Sequence, residues 1–474
     1  MKNSKQTPKI NLVSKERGGI LIMTLVFVTV FLIIAIGLLS LINQQTKLGE
    51  QRQALSEAIQ IAEAGVNYYR WHLAHDLEDY ADDTGQTGCY PCGPYTHEYY
   101  DPSSGLVGYF SLTITPPAPT YPGSTIVKIK SVGWTTKYPN SKREVAVRLG
   151  LPSLARFTTV VHNNLNYGVG SETFGPVHSN GGIRFDGIAH NIVSSALEEY
   201  WYGGSYGWRD GVWTSLANED EVFLAGKEFP APTVDFGSFT QSLNTMETYA
   251  TSDGVLLEPS GYQGYHIQFL GDGNFQYRIV ESKTSTCNDE DTGGIATYYG
   301  DWQTVAIPDN GLIFAKDNLW VDGTVNGSRV TLVAAEDPLD TGEADIFLNN
   351  DLLYTDKNGL DVIGLIAQRN VVIGLYSEDD LEIDAVCIAK NGKRFRPDYG
   401  STMQCGSSVL RDEFLLYGST ISYLTPYMNS GSSGYENRSY IYDPNTLYAP
   451  PPFFPTSGEY EFILWEEVLE GETY

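Results

Sequence analysis

Three polar side chains, His178, Asp186 and His190, come nearest to a catalytic or metal-binding set in this sequence. Histidine and aspartate can coordinate a metal ion or share a proton. Their spacing matches no zinc-binding pattern, and no glutamate-containing helix motif accompanies them. We therefore interpret them as residues of turns and of short stacked strands. We predict no catalytic residue, no metal ligand and no cofactor.

Acidic side chains are a second candidate for chemistry, because two carboxylates facing one groove can cleave a glycosidic bond. The candidates are Asp361, Asp379, Asp380, Glu382 and Asp384. Acids at loop edges are expected in a chain of net charge −28, so their presence alone defines no site. Two acidic segments, residues 288–294 and 336–345, could hold calcium but match neither calcium-binding loop pattern. We interpret both as solvated loops.

A group of large aromatic side chains lies among glycines in the segment WYGGSYGWRDGVW. Its members are Trp201, Tyr202, Tyr206, Trp208 and Trp213. If exposed, these rings could stack on sugars or anchor a protein partner; if buried, they would close this part of the fold. We favour burial, because large aromatics dominate cores as well as interfaces.

The chain has five cysteines, and two of them form the motif CYPC. Because Cys89 and Cys92 lie in a turn-rich loop without a βαβ pattern, we predict a structural disulfide formed outside the cytoplasm. Cys387 and Cys405 could form a second bridge, which would leave Cys287 unpaired. The sequence does not fix the connectivity.

The negative charge belongs to the body of the chain, since the first 17 residues carry five basic side chains and one glutamate. An acidic body repels nucleic acid, and no basic patch with interleaved aromatics occurs in it. We therefore exclude nucleic acid as a partner. Aromatic residues at 12% and 48 glycines indicate a folded, turn-rich β protein.

One segment is long and apolar enough to cross a membrane. No charged residue occurs from Gly18 to Thr46, and the apolar run from Ile20 to Ile42 matches the length of a membrane-spanning helix. The run exceeds the apolar core of a secretory signal, and no small-residue cleavage site follows it. The basic residues before it predict a single span with a cytoplasmic N-terminus and an extracytoplasmic C-terminal body.

The helical pattern continues beyond the apolar run as an amphipathic segment. Apolar residues recur at spacings of three and four and predict a stripe that must pack on a partner. They are Leu55, Ile59, Ala62, Val66, Tyr69 and Leu73. We predict one helix over residues 19–75, half in lipid and half outside.

Together, the leader ending in KERGG, the apolar half-helix and the amphipathic half containing AIQIAEAGVNYY resemble type IV pilin-like proteins, notably the PilX-type minor pilins. The resemblance implies cleavage by a prepilin peptidase after Gly18, with Gly19 as an alternative. It also implies packing against other pilins or pseudopilins through the helix. Major pilins carry glutamate at the fifth mature position, whereas this chain has Met23 or Thr24 there. The departure suits a minor or tip subunit; an uncleaved anchor with a helical stalk remains the alternative.

Two β-rich regions follow the helix, and they give an α+β fold class. Alternating apolar residues within 105–150 predict a small antiparallel sheet that covers the amphipathic stripe. From residue 151, short strands punctuated by Gly and Asn predict a right-handed parallel β-helix or related solenoid, with a sandwich as the alternative. Ile346, Ile363 and Ile383 mark three of these strands.

The predicted organisation is a basic cytoplasmic leader (1–18), a membrane and stalk helix (19–75), a pilin-like headpiece (76–150) and a β-solenoid ectodomain (151–474). The ectodomain includes an insertion at about 197–310 and an extended proline-rich C-terminal strip. The predicted function is a non-enzymatic, pilin-like subunit that displays the solenoid at the cell surface for adhesion to a host, surface or carbohydrate ligand. The alternatives are a membrane-anchored β-helix enzyme acting on polysaccharide and a simple membrane-anchored adhesin.

Overall fold

The computed structural model describes residues 19–103, 105–118, 122–236, 239–429, 431–456 and 458–468. The predicted leader, including Gly18, lies outside the described residues. The helices are α1 (Gly19–His75), α2 (Phe239–Ser252) and α3 (Thr402–Cys405).

Thirty-one strands follow α1 along the described chain. The first four are β1 (Cys92–Asp101), β2 (Gly105–Thr115), β3 (Val127–Thr135) and β4 (Arg143–Gly150). The next eleven are β5 (Thr159–Val161), β6 (Leu165–Tyr167), β7 (Ser171–Phe174), β8 (Val177–Ser179), β9 (Ile183–Phe185), β10 (Ile188–Ala189), β11 (Val193–Ser195), β12 (Glu199–Gly203), β13 (Gly207–Asp210), β14 (Val212–Trp213) and β15 (Lys227–Glu228).

The remaining strands lie after residue 254. They are β16 (Val255–Leu257), β17 (Gly264–Leu270), β18 (Asn274–Lys283), β19 (Ile295–Ala306), β20 (Leu312–Ala315), β21 (Leu319–Val325), β22 (Arg329–Ala334), β23 (Ile346–Leu348), β24 (Leu352–Tyr354), β25 (Val362–Ala367), β26 (Val371–Ile373), β27 (Asp380–Ala389), β28 (Arg394–Phe395), β29 (Leu410–Ser422), β30 (Gly434–Ile441) and β31 (Glu461–Val468).

The first half of α1 is apolar and the second half is amphipathic, as predicted. No side chain from Gly19 to Gly49 is buried, and this part of the helix is long and apolar enough to cross a membrane. The second half packs on a five-stranded antiparallel sheet of order β1-β2-β3-β4-β31. Ala62, Val66, Tyr69 and Leu73 are buried there, as the predicted stripe requires.

At the start of the amphipathic half, the buried face differs from the prediction. Ala54, Ala58 and Ile61 are buried, whereas Leu55 and Ile59 are only half-buried. Small alanine side chains face the sheet here because the helix lies very close to it. A Cβ built on Gly133 of β3 would lie 2.2 Å from the Ala58 carbonyl oxygen.

The small sheet contains two strands that the sequence analysis did not assign to it. Residues of β1 were predicted to belong to a loop, and β31 was placed in the larger unit. β31 pairs antiparallel with β4, from Gly150 opposite Glu461 to Glu144 opposite Val468. The predicted boundary of 151–474 therefore fails at its C-terminal end, because the chain returns to the small sheet after completing the larger unit.

The larger unit is built from parallel ladders of short strands. Its longest ladder has the order β16-β20-β22-β25-β27-β29-β5-β8-β11-β15, and every neighbouring pair in it is parallel. The first strand of the unit, β5, thus lies in the middle of the ladder, between the later β29 and β8. Aliphatic and aromatic side chains of several ladders form one core, including Val161, Ile313 and Ile363.

The predicted insertion at about 197–310 is not a separate block. β14 and β15 pair in parallel with β9 and β11, and β16 and β17 pair in parallel with β20 and β21. In the described part of this range, the hairpin of β12 and β13, the segment around α2 and the hairpin of β18 and β19 depart from the ladders. These three excursions separate the short strands and hide their spacing in the sequence.

Candidate functional site

The three residues that first suggested chemistry do not form one site. His178 bonds to Ser194 and Asn180, whereas His190 bonds to Glu172. Asp186 accepts hydrogen bonds from the Ser215 amide and hydroxyl, among others. Burial opposes ionisation of Asp186, but these bonds lower its pKa below the usual range. No hydrogen bond joins any two of His178, Asp186 and His190, so each has a separate structural role in the part of the chain described.

Of the acidic candidates, the two buried ones have structural partners, which are backbone amides for Asp361 and the half-exposed Lys357 for Asp384. Asp361 accepts backbone hydrogen bonds from Gly327, Ser328 and Asp356. Asp384 is 1% exposed as a side chain and lies 2.9 Å from Nζ of Lys357, which also contacts Glu382. Burial raises the pKa of Asp384 to about 6. A carboxylate this buried is not positioned to touch a polysaccharide.

Asp379 and Asp380, the remaining acidic candidates, are exposed at the start of β27.

One group that the sequence analysis did not single out could hold a metal ion. His72, Asp79 and Asp83 each offer a ligand atom, and these atoms lie within 4.8 Å of one another. His72 Nε2 lies 2.8 Å from Asp79 Oδ2, which also accepts the Asp83 amide at 2.7 Å. These contacts already account for the arrangement as a cap on the turn after α1, so we assign no metal to it.

The structure contains two disulfides, and one differs from the predicted pairing. Cys89 is joined to Cys92, and Cys287 is joined to Cys405. The predicted Cys387–Cys405 bridge is therefore wrong. Cys387 lies in β27 with its side chain 1% exposed in the core between the ladders, and burial raises its pKa to about 12. A side chain directed into the core cannot reach Cys405 on the surface.

The aromatic segment is only partly buried, so the preference for burial is wrong for its outer residues. Trp213 is 7% exposed, whereas Trp201 is 59% exposed and Trp208 is 61% exposed. Trp201 and Trp208 are opposite each other in the β12–β13 hairpin, with ring centroids 6.1 Å apart. Tyr202 and Tyr206 instead contact Trp213 on the inner side of the hairpin.

A cavity of about 440 Å³ lies between the parallel strands β17 and β21 and the hairpin strand β19. His266 and Trp320 are opposite each other in the parallel pair β17–β21, and Phe347 is opposite Trp320 in the parallel pair β21–β23. His266 Nε2 lies 2.8 Å from Asp322 Oδ2, and His266 Nδ1 lies 2.7 Å from the Tyr298 hydroxyl. We call this cavity the His266 cleft. The sequence analysis missed this cleft because its walls come from β17 and β21, which the β18–β19 hairpin separates in the sequence.

Comparison with known proteins gives similarity to solved structures and two negative results. No protein-family model matches the chain. No curated protein matches it significantly. Among solved structures, the chain is similar to the competence-associated pilin ComZ from Thermus thermophilus, with 12% identity and a TM-score of 0.31, over 88% of this chain and 98% of that chain.

Proposed function

We propose that this chain is a minor-pilin-like subunit of a type IV pilus or a related cell-surface filament, with its C-terminal body displayed outside the cytoplasm for adhesion. The observation that carries the proposal is α1. One continuous helix of 57 residues has an exposed apolar half and an amphipathic half packed on a small antiparallel sheet. The exposed half can lie in the membrane before assembly and against other pilin helices afterwards.

The helix and sheet are connected closely enough to act as one rigid support. Tyr138 and Lys137, in the turn after β3, both contact Glu50 of α1. The hydrogen bond from Tyr138 is the main reason that the pKa of Glu50 is lowered. Further along the helix, Ile61 and Tyr69 are almost fully buried against the sheet. A rigid support of this kind would hold the body at a fixed position relative to the membrane helix.

The proposal includes a β-solenoid architecture for the body. The parallel registers support it, because equivalent positions on successive coils align side by side, as Val330 with Ile363 and Cys387 with Thr420. Outward-facing apolar residues of the long ladder are covered by α2 and by Phe454 of the proline-rich strip. Stacked coils present a long, rigid surface, which suits contact with another surface better than an enclosed active site.

Processing at Gly18 or Gly19 tests this function directly. The chain would be expressed with and without a prepilin peptidase, and its N-terminus would be determined by mass spectrometry. We expect the leader to be removed only when the peptidase is present. Substitution of both glycines by leucine should retain the leader, whereas Gly49→Ala, on the same helix, should not.

An intact N-terminus in cells with an active peptidase would contradict the filament proposal. If such an uncleaved chain still bound surfaces, the simple anchored adhesin would be the correct alternative. The absence of glutamate at Met23 or Thr24 leads us to expect few copies per filament, which quantitative mass spectrometry of purified filaments would measure.

A further inference from the structure

The His266 cleft combines a polar network with aromatic walls, and neither belongs to the machinery of filament assembly. Trp320 and Phe347 are each 2% exposed and stack with ring centroids 4.7 Å apart, which gives the cleft a rigid apolar base. Tyr376 also lines the cleft, is 53% exposed and has no hydrogen bond to the residues described. The cleft therefore offers both a supported base and an accessible ring.

The polar network is arranged to accept hydrogen bonds. Burial opposes ionisation of Asp322, but hydrogen bonds, chiefly from His266, lower its pKa below the usual range. The Asp322 carboxylate accepts a hydrogen bond from Nε2 of His266, and in the tautomer that carries its hydrogen on Nε2 the ring accepts the Tyr298 hydroxyl hydrogen at Nδ1. The oxygen of Tyr298 then has lone pairs to offer to a ligand. Asn350 donates its amide to Asp322 at 2.9 Å, which leaves its carbonyl oxygen as a second acceptor.

This network is suited to binding rather than to covalent chemistry. A tyrosine nucleophile would need a lowered pKa, whereas burial, together with the Asp322 charge, raises the pKa of Tyr298. Asp322 is 6% exposed; its Oδ2 already accepts hydrogen bonds from His266 and Asn350, and its Oδ1 is buried, so it is not positioned to act as a base toward a ligand.

The loop that forms one wall is fixed before any ligand arrives. Thr284 and Gly294 line the cleft and are joined by a 2.9 Å backbone hydrogen bond. Between them, Cys287 is tied by its disulfide to Cys405. A wall ordered in advance reduces the entropy lost on binding.

We propose that the His266 cleft binds a neutral saccharide. A sugar ring has apolar C–H faces that stack on aromatic rings and hydroxyl groups that donate to the Tyr298 and Asn350 oxygens. Anionic sugars fit poorly, because Asp322 lines the cleft and the whole chain has a net charge of −28. Lys283 lies over the Phe347 ring, but its ammonium group is already paired with Asp291 at 2.8 Å. A quaternary ammonium ion fits less well than a sugar, because such an ion is held by a cage of several exposed aromatic faces, whereas Trp320 and Phe347 are each only 2% exposed.

This inference goes beyond the proposed filament function, since it would hold equally for an anchored protein that is never cleaved. The test therefore uses the full chain in nanodiscs of phosphatidylethanolamine and phosphatidylglycerol, which carry no sugar or choline. The probes are an array of neutral glucose, mannose and N-acetylglucosamine oligomers, sialylated and sulfated oligosaccharides, and tetramethylammonium. Binding would be quantified by calorimetry and by the fluorescence of Trp320.

Two tyrosines provide a matched pair of variants. Tyr376 lines the cleft, whereas Tyr299 is similarly exposed at 52% but is absent from the lining. We expect Tyr376→Ala to weaken binding of a neutral oligosaccharide by about tenfold or more, Tyr376→Phe to retain most of it, and Tyr299→Ala to leave it unchanged. Both side chains are half-exposed, so the variants should fold, which circular dichroism would verify.

Three results would overturn the proposal. They are failure of every neutral oligosaccharide to bind, equal losses for Tyr376→Ala and Tyr299→Ala, and preferential binding of anionic sugars or of tetramethylammonium. None of them bears on leader cleavage, so the two proposals can fail separately.

Discussion

Burial of a single ionisable side chain can outweigh the effect of its neighbours, and Asp384 is the clearest case. Its side chain lies beneath Lys357 and accepts the Tyr354 amide at 2.9 Å. Because burial outweighs these contacts, its pKa is raised to about 6, compared with about 3.9 for an unfolded aspartate. The folded state therefore retains a proton that the unfolded state has lost between these two pH values.

We expect the Asp384 contribution to the free energy of unfolding to be greatest below pH about 4, to fall as the pH rises to about 6, and to be constant above that. Asp384→Asn mimics the protonated form. It should match the wild type near pH 4 and exceed its stability by roughly 2–3 kcal/mol at pH 7. Thermal unfolding from pH 4 to 7 would measure this. Asp380→Asn, at an exposed position of the same strand, is the control, and equal pH profiles for the two variants would refute the assignment.

The residue scale also shows where sequence reasoning fails. Cys287, Cys387 and Cys405 cannot be told apart by residue type. Only the orientation of each side chain in the fold distinguishes the disulfide-bonded pair, Cys287 and Cys405, from the buried thiol of Cys387. Likewise, the exposed Trp201 and the buried Trp213 are twelve residues apart in one aromatic segment. Burial of these rings depends on which side chains face the parallel strands, and that orientation is set by long-range strand pairing.

At the scale of elements, the contact between α1 and β3 depends on glycines that allow close approach. A Cβ at Gly133 would lie 2.2 Å from the Ala58 carbonyl oxygen and 2.5 Å from the Ala62 nitrogen. Both atoms belong to the helix backbone, which cannot move aside as a flexible side chain could. A Cβ at Gly65 of α1 would meet Ser131 and Phe110 of the sheet.

Gly133→Ala should separate the helix from the sheet and destabilise this unit by about 1–3 kcal/mol, the usual cost of overpacking. Thermal unfolding in nanodiscs would measure the loss, with protease sensitivity near residue 60 as a second readout. Gly49→Ala, on the same helix with nothing within 4 Å of the new Cβ, should be neutral or slightly stabilising. Similar losses for both variants would show that close packing at Gly133 is not the cause.

Elements with regular local patterns could be predicted, whereas those defined by distant partners could not. β2, β3 and β4 follow from alternation, and Val127, Ile129 and Val147 are all fully buried as expected. β31 carries no comparable signal, because its register is set by β4, some 300 residues earlier in the chain. The His266 cleft was missed for a similar reason, since its network joins His266 to residues 32 and 56 positions away.

At the scale of the whole molecule, the first strand of the larger unit lies in the middle of its longest ladder. β5 pairs in parallel with both β29 and β8. It therefore joins the early strands β8, β11 and β15 of the ladder to the late strands from β16 to β29. Val161 of β5 and Val193 of β11 are both fully buried in the same core. Of these two valines, Val161 lies in the strand between β29 and β8, whereas Val193 lies in the strand between β8 and β15.

We expect Val161→Ala, which costs roughly 1.5–3 kcal/mol in lost burial, to reduce hydrogen-exchange protection in both β29 and β8. Val193→Ala, a matched change, should reduce protection mainly in β8 and β15, its own neighbours. Hydrogen exchange followed by mass spectrometry would compare the peptides. If Val161→Ala left β29 protected, the early and late strands would be independent and the central position of β5 would have no energetic role.

The return of the chain to the small sheet has a mechanical consequence. β4 leaves that sheet at Gly150 and β31 re-enters it opposite the same residue, at Glu461. A load applied between the helix and the body therefore enters the small sheet through two neighbouring strands. Each strand is held by a row of interstrand hydrogen bonds, which share the load. The body can transmit tension to the sheet through both strands, whereas a single linker would simply extend.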